Sequence, residues 1–140
     1  MIKRMSEEEA RALLRAGRLA RLGCVAEGYP YVVPVNYVFD GEFVYSHSLP
    51  GRKIDAMRGS PRVCLQVDEV RDETRWKSAL AFGTFEELKD KIERERALGL
   101  LLSLFPRLTP VESLIIADAA APAPVVYRVR VERVTGVREE

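Results

Sequence analysis

The stretch from Tyr29 to Ser48 constrains this chain more than any other. From Tyr29 to Phe39 the residues alternate as a strand does, with Tyr31, Val33, Val35, Tyr37 and Phe39 on one face and Val32, Pro34, Asn36 and Val38 on the other. Both faces are largely apolar, which places such a strand at the centre of a closed or double-layered sheet. Pro34 limits that placement, because proline has no N–H to give a ladder, so the strand must bulge or have a free edge there. Such a break either leaves backbone groups free for a ligand, with Asn36 as the polar side chain nearby, or protects an edge from aggregation. Asp40-Gly41 is a hairpin turn, so Glu42 to Ser48 returns antiparallel and carries His47 back toward Pro34.

The same hairpin ends in Tyr45-Ser46-His47-Ser48-Leu49-Pro50-Gly51-Arg52-Lys53. Hydroxyls and an imidazole are followed by a turn and two adjacent cations at the start of a short helix, Arg52 to Arg58. Arg52 offers a planar fork of donors to phosphate oxygens, Lys53 a point charge, and the helix N-terminus free amides. The plainer reading of the same residues is a Pro-Gly turn followed by a solvated surface pair.

Around this segment the pattern is that of a mainly β chain. Ser6, with Glu9 three residues on, opens a first helix that runs to about Gly17. Strands are expected at Leu19 to Val25, Tyr29 to Phe39, Glu42 to Ser48, Arg62 to Val70, Ser78 to Leu88 and Val125 to Val131. Asp68 to Thr74 reads as a loop or a wide hairpin, and Gly83 as a bulge or a close approach of another backbone. A second long helix, Asp90 to Phe105, is capped by Asp90 with Glu93 and stopped by Pro106. Its apolar C-terminal half calls for burial on more than one side, in a core or a subunit contact. Ala117 to Pro124 is a connector. Six mostly antiparallel strands with peripheral helices imply a small Greek-key barrel in a single domain, residues 1–140.

Composition narrows the function by exclusion. With 22 basic and 21 acidic residues among 140, no global field attracts nucleic acid or an anionic membrane, so an anion must be held locally. The start of the chain lacks a signal-peptide core and no run is long enough to span a bilayer. Cys24 and Cys64 read as buried thiols of a reducing compartment, so a cytoplasmic protein is expected. A single histidine makes a His-based zinc site or a catalytic relay hard to build, and Gly-rich nucleotide loops are absent. Side chains without redox chemistry would need a cofactor, and a phosphorylated flat ring suits the groups present.

The order Pro34-Val35-Asn36-Tyr37, Asp40-Gly41, Tyr45-Ser46-His47-Ser48 with Gly51-Arg52-Lys53, then Trp76-Lys77-Ser78 with Gly83, resembles the FMN-binding split-barrel proteins related to pyridoxamine 5'-phosphate oxidase, and more closely their nitroimidazole-resistance (Nim-like) branch. The resemblance implies a six-stranded antiparallel split barrel forming a homodimer, with FMN at the subunit interface and a small-molecule substrate. By motif, Arg52 and Lys53 would contact the FMN phosphate, helped by Ser46, and Tyr45, His47 and Ser48 would belong to the same cofactor-binding stretch. Pro34, Val35, Asn36 and Tyr37 would lie along the flavin ring, Trp76 and Ser78 would approach from the facing subunit, and His47 would meet substrate. The activity implied is that of an FMN-dependent oxidoreductase acting on a small acceptor such as a nitroaromatic. Non-catalytic flavin storage, or the same barrel holding haem through His47 or a deazaflavin, are the alternatives. Two departures are visible: the closing Val134 to Glu140 lacks the Arg- and His-containing segment of the true oxidase, and Val137 stands where the Nim-like branch often has lysine.

Overall fold

The computed structural model describes residues 1–105 and 123–140. In chain order the elements are β1 (Ile2–Arg4), α1 (Glu7–Ala16), β2 (Leu19–Ala26), β3 (Tyr29–Asn36), β4 (Val38–Phe39), β5 (Phe43–Ser48), α2 (Arg52–Gly59), β6 (Arg62–Asp72), β7 (Arg75–Glu87), α3 (Lys91–Leu104) and β8 (Val125–Glu139). The strands form one antiparallel sheet in the order β3-β2-β6-β7-β8-β5-β4, with β1 on β8. β3 and β4 are at opposite ends of that order, yet only Tyr37 separates them in the chain. The sheet must therefore curl until its two ends meet, and it does so without a ladder between them. This is the split barrel.

The single strand expected from Tyr29 to Phe39 is thus two strands, broken at Tyr37, and β3 is an edge rather than a centre. Tyr37 is fully buried; its hydroxyl donates to the Leu14 carbonyl and its amide to the Arg18 carbonyl. That anchorage turns the chain from one sheet end to the other. With β1 and this division, the six expected strands become eight among the described residues.

Inside the curl, Leu22, Leu65, Ala81 and Val134 stack across β2, β6, β7 and β8, and Ile54 and Met57 of α2 and Ala10 and Leu14 of α1 complete the core. Val63, Leu65 and Val67 face inward as their alternation requires. Ser6 caps α1 by accepting from the Glu9 amide, and Asp90 caps α3 from the Glu93 amide. The β-ladder shifts register between Phe82 and Gly83, where a Cβ on Gly83 would run into the Arg130 carbonyl.

Two further expectations are corrected and two sharpened. Of the loop or wide hairpin expected at Asp68 to Thr74 the hairpin holds, but it is tight: β6 continues to Asp72, which accepts from the Thr74 amide in the turn, and β7 begins at Arg75. β8 runs on to Glu139, because β7 and β1 give its second half a partner on each side. In α3 only Ala97 and Leu101 are buried within the single chain and Leu100, Leu102 and Leu104 are exposed, so the core accounts for only part of the apolar half. Cys24 is buried but Cys64 only half so, and both are free thiols. Pro106 and most of the connector lie outside the described residues. No helix among the described residues is long and apolar enough to cross a membrane.

Candidate functional site: the split between β3 and β5

Two hydrogen bonds fix what the open edge of β3 presents. The Tyr37 amide donates to the Arg18 carbonyl at 3.0 Å, on the β2 side, so odd-numbered residues of β3 turn their backbone groups to β2. The Ser46 hydroxyl donates to the Asn36 carbonyl at 2.7 Å from the other side, so even-numbered residues face the split. Pro30 and Pro34 occupy even positions, where no ladder N–H is lost. The β3 wall consequently offers the carbonyls of Pro30, Val32, Pro34 and Asn36 but only the amides of Val32 and Asn36.

The facing wall is β5. The Asp40 amide donates to the Phe43 carbonyl and the Val131 amide to the Glu42 carbonyl, so odd-numbered residues of β5 face β4 and the split. β4 pairs only with Val44 and Tyr45, which leaves the His47 backbone without a ladder partner on that side. Continuing the register of that pairing sets His47 opposite Asn36 and Leu49 opposite Pro34. The expected return of His47 toward the proline break is therefore met in the strand's register, with Ser46 as the direct bridge.

Side chains alternate across β5. Ser46 is fully buried and, with Ser48, shares the inner face; Tyr45 and His47 point to the outer face, which α3 partly covers. Behind Ser46 lies Tyr127, whose phenol burial pushes up to about 12. Asn36 and Pro34 are exposed, and Val35 is in the core. Tyr37 has its amide and hydroxyl engaged internally, so it shapes the corner.

At the end of the split stands the N-terminus of α2. Gly51 provides no side-chain cap, so its first-turn amides are free. Arg52 is exposed, with its guanidinium 6.0 Å from the Tyr31 ring centroid. Lys53 is half-buried; burial lowers its pKa, an effect the negative charge of Cys24 partly offsets when that thiol is ionised. Neither cation is in an ion pair among the described residues. Uncommitted cations beside free amides make an anion corner.

Trp76 and Ser78 are not brought to this split. They lie on the outer face of β7, where the Trp76 indole donates to a Glu139 carboxylate oxygen at 3.1 Å and Ser78 accepts from the Gln66 amide at 3.0 Å. The oxygen of that Gln66 amide, Oε1, is buried without a partner among the described residues. Two residues the sequence reading passed over have structural roles here: Tyr31, which lies under Arg52 at the split, and Gln66, which holds Ser78 on the outer face of β7. Tyr31 gave no signal because α2 meets it only through the fold. Gln66 was visible as the lone amide in the Val63 to Val67 alternation.

Residues 6–138 match the pyridoxamine 5'-phosphate oxidase family. The chain belongs to that family. A crystal structure of a FAD-binding protein from Mesorhizobium loti is 33% identical, covers 100% of this chain and 98% of its own, and superposes with a TM-score of 0.81. A 5-nitroimidazole antibiotic resistance protein from Bacteroides thetaiotaomicron, so described provisionally, shares the fold at 22% identity, with a TM-score of 0.75 over 99% of this chain and 89% of its own. A Rhizobium meliloti relative, the uncharacterized protein RA0666, is 42% identical over 87 residues, 62% of this chain. The chain's match spans 58% of that curated relative's length. Membership in the pyridoxamine 5'-phosphate oxidase family agrees with the split barrel read from the motifs.

Proposed function

We propose that the chain binds a flavin through its FMN portion and works as a homodimeric flavin-dependent oxidoreductase on a small acceptor. The observation that carries this reading is the split itself. A wall rich in carbonyl acceptors suits the hydroxyl donors of a ribityl chain, and the corner of Arg52, Lys53 and free α2 amides suits its phosphate. The FAD-binding description of the Mesorhizobium loti relative supports a flavin and favours the dinucleotide as a second reading.

In this reading Arg52 and Lys53 neutralise the phosphate, and the Pro34 to Asn36 backbone and the His47 backbone line the ring and chain. Tyr45, Ser46 and Ser48 keep β5 in place beside it. His47, exposed on the outer face of β5 in part, is the candidate for meeting substrate. A bound flavin supplies the hydride and electron transfer that the side chains lack. The second subunit is proposed to dock on the outer face around Trp76 and Ser78, where Leu19, Val70 and Val137 are exposed at 55%, 64% and 37%. The free thiols fit a reducing, cytosolic setting.

The test is a visible absorption spectrum of the purified protein, with mass analysis of what heating releases and titration with added FMN. Flavin bands, or FMN uptake with quenched fluorescence, are expected; neither appearing would sink the reading. Anaerobic mixing with reduced nicotinamide then separates enzyme from storage protein, since bleaching of the yellow colour is expected only of the former. A haem spectrum lost in His47→Ala would instead favour the haem alternative.

A further inference from the structure

Beyond Tyr31, on the outer face of the sheet, lies a groove of about 720 Å³ that none of the roles above uses. Its floor is Gly23, Cys64 and Phe82, and the edge strand β3 walls it with Pro30 and Val32. Gly23 keeps it open, because a Cβ there would stand 2.8 Å from the Cys64 sulfur. The floor is therefore flat, apolar and aromatic, which fits a planar ring system.

The rim is net positive, with Arg62 and Arg133 against Glu132. The Arg133 guanidinium lies 4.5 Å from the Phe82 ring centroid, and both Arg62 and Arg133 are exposed with no ion pair among the described residues. Glu132, the one acidic residue in the lining, is already engaged by the Thr84 hydroxyl at 2.6 Å. A planar ligand that also bears negative charge is favoured over a neutral one.

Continuity with the anion corner narrows the class. Tyr31 borders the groove along β3, while its ring packs against the core on the inner face with the Arg52 guanidinium 6.0 Å from its centroid, so the groove and the anion corner meet across the edge of β3. A ligand with two ring systems joined by phosphates can set one in the split, its phosphates at Arg52 and Lys53, and the other over the β3 edge in the groove. We propose that the groove between β3 and Phe82 binds the adenylate half of a dinucleotide. This rests on the flavin reading of the split, and two sources share the chemistry: the ADP part of FAD, or that of a nicotinamide dinucleotide co-substrate.

The experiment uses the thiol on the groove floor. Full-length protein is treated with N-ethylmaleimide, and Cys64 modification is followed by peptide mass analysis, which distinguishes it from Cys24. AMP is expected to slow Cys64 alkylation, and the Arg62→Ala, Arg133→Ala double variant to abolish that protection. The double variant is also expected to weaken FAD about tenfold, from loss of two exposed charged contacts, while FMN affinity stays unchanged and serves as the check on folding. If FAD is unaffected but the concentration of NADH or NADPH needed for protection rises about tenfold, the source is the nicotinamide dinucleotide and the groove assignment stands. No protection by AMP, or Cys64 inert in free protein because a second copy covers it, overturns the proposal. Wild-type protein that binds no FMN while AMP still protects Cys64 overturns the flavin reading and leaves the groove as an adenylate site.

Discussion

The sheet has a closed side and an open side, and they are built on opposite rules. On the closed side the paired strands β6, β7 and β8 are 11, 13 and 15 residues long, with backbones so close at Gly83 that no side chain fits. On the open side β3 and β5 run within reach of each other but, among the described residues, are joined by one hydrogen bond, from the Ser46 hydroxyl to the Asn36 carbonyl. Backbone groups satisfied by one another hold the frame. Those left unpaired, next to uncommitted cations, are available to a ligand.

If the difference is real, the largest stability effect lies on the closed side. Gly83→Val would force a branched side chain against the Arg130 carbonyl and the Val129 side chain, and should cost about 3 kcal/mol or more. Urea denaturation measures it; a loss below about 1 kcal/mol would mean that the frame gives way easily there.

The open side should show the reverse separation of function from stability. Arg52→Ala with Lys53→Ala should weaken flavin binding by about 3 kcal/mol, two charge-assisted contacts. The stability of the free protein should hardly change, because neither cation is in an ion pair among the described residues. Fluorescence titration together with denaturation tests both halves. Unchanged affinity would move the phosphate elsewhere.

These two sides were not equally legible in the sequence. Alternation at Val63, Leu65 and Val67 and the isolated Gly83 marked the closed side, since local pattern records which face is packed. The strand ends there were misjudged because β6 and β7 stay paired through polar residues such as Asp68 and Lys77, whose polarity reads as a loop. On the open side, Pro34 and the Asp40-Gly41 hairpin carried the signal. Whether Tyr29 to Phe39 was one strand or two depended on Tyr37 reaching Leu14 and Arg18, a contact between distant parts of the chain that no local pattern records. The Arg52-Lys53 corner was legible as chemistry, but its closeness to Tyr31 was not.

A smaller effect probes the single bridge across the split. Ser46→Ala removes the donor to the Asn36 carbonyl and should cost about 1 kcal/mol, because Asn36 is exposed and water can take the place of the hydroxyl. A loss of about 3 kcal/mol would make the split a braced part of the frame and erase the contrast.

The smallest expected effect is a pH dependence at the anion corner. Burial lowers the Lys53 pKa from 10.5 in the folded protein, so the unfolded chain binds that proton more tightly. Between the lowered folded value and 10.5 the unfolded state carries more protons, and this residue's contribution to stability therefore rises with pH across that window. Below the window the destabilisation is complete, and above it the effect vanishes. Tyr37 and Tyr127, each pushed up to about 12 by burial, act in the opposite sense above pH 10, because the unfolded phenols ionise first. Comparing wild type with Lys53→Met by urea denaturation from neutral pH to pH 10 cancels the tyrosine contribution. The stability advantage of the methionine variant should shrink as pH rises, and inorganic phosphate, by favouring the charged amine, should reduce it at neutral pH. A gap between the two proteins independent of both pH and phosphate would mean that Lys53 is held as an ordinary solvated cation, and that the open side lacks the anion corner that sets it apart.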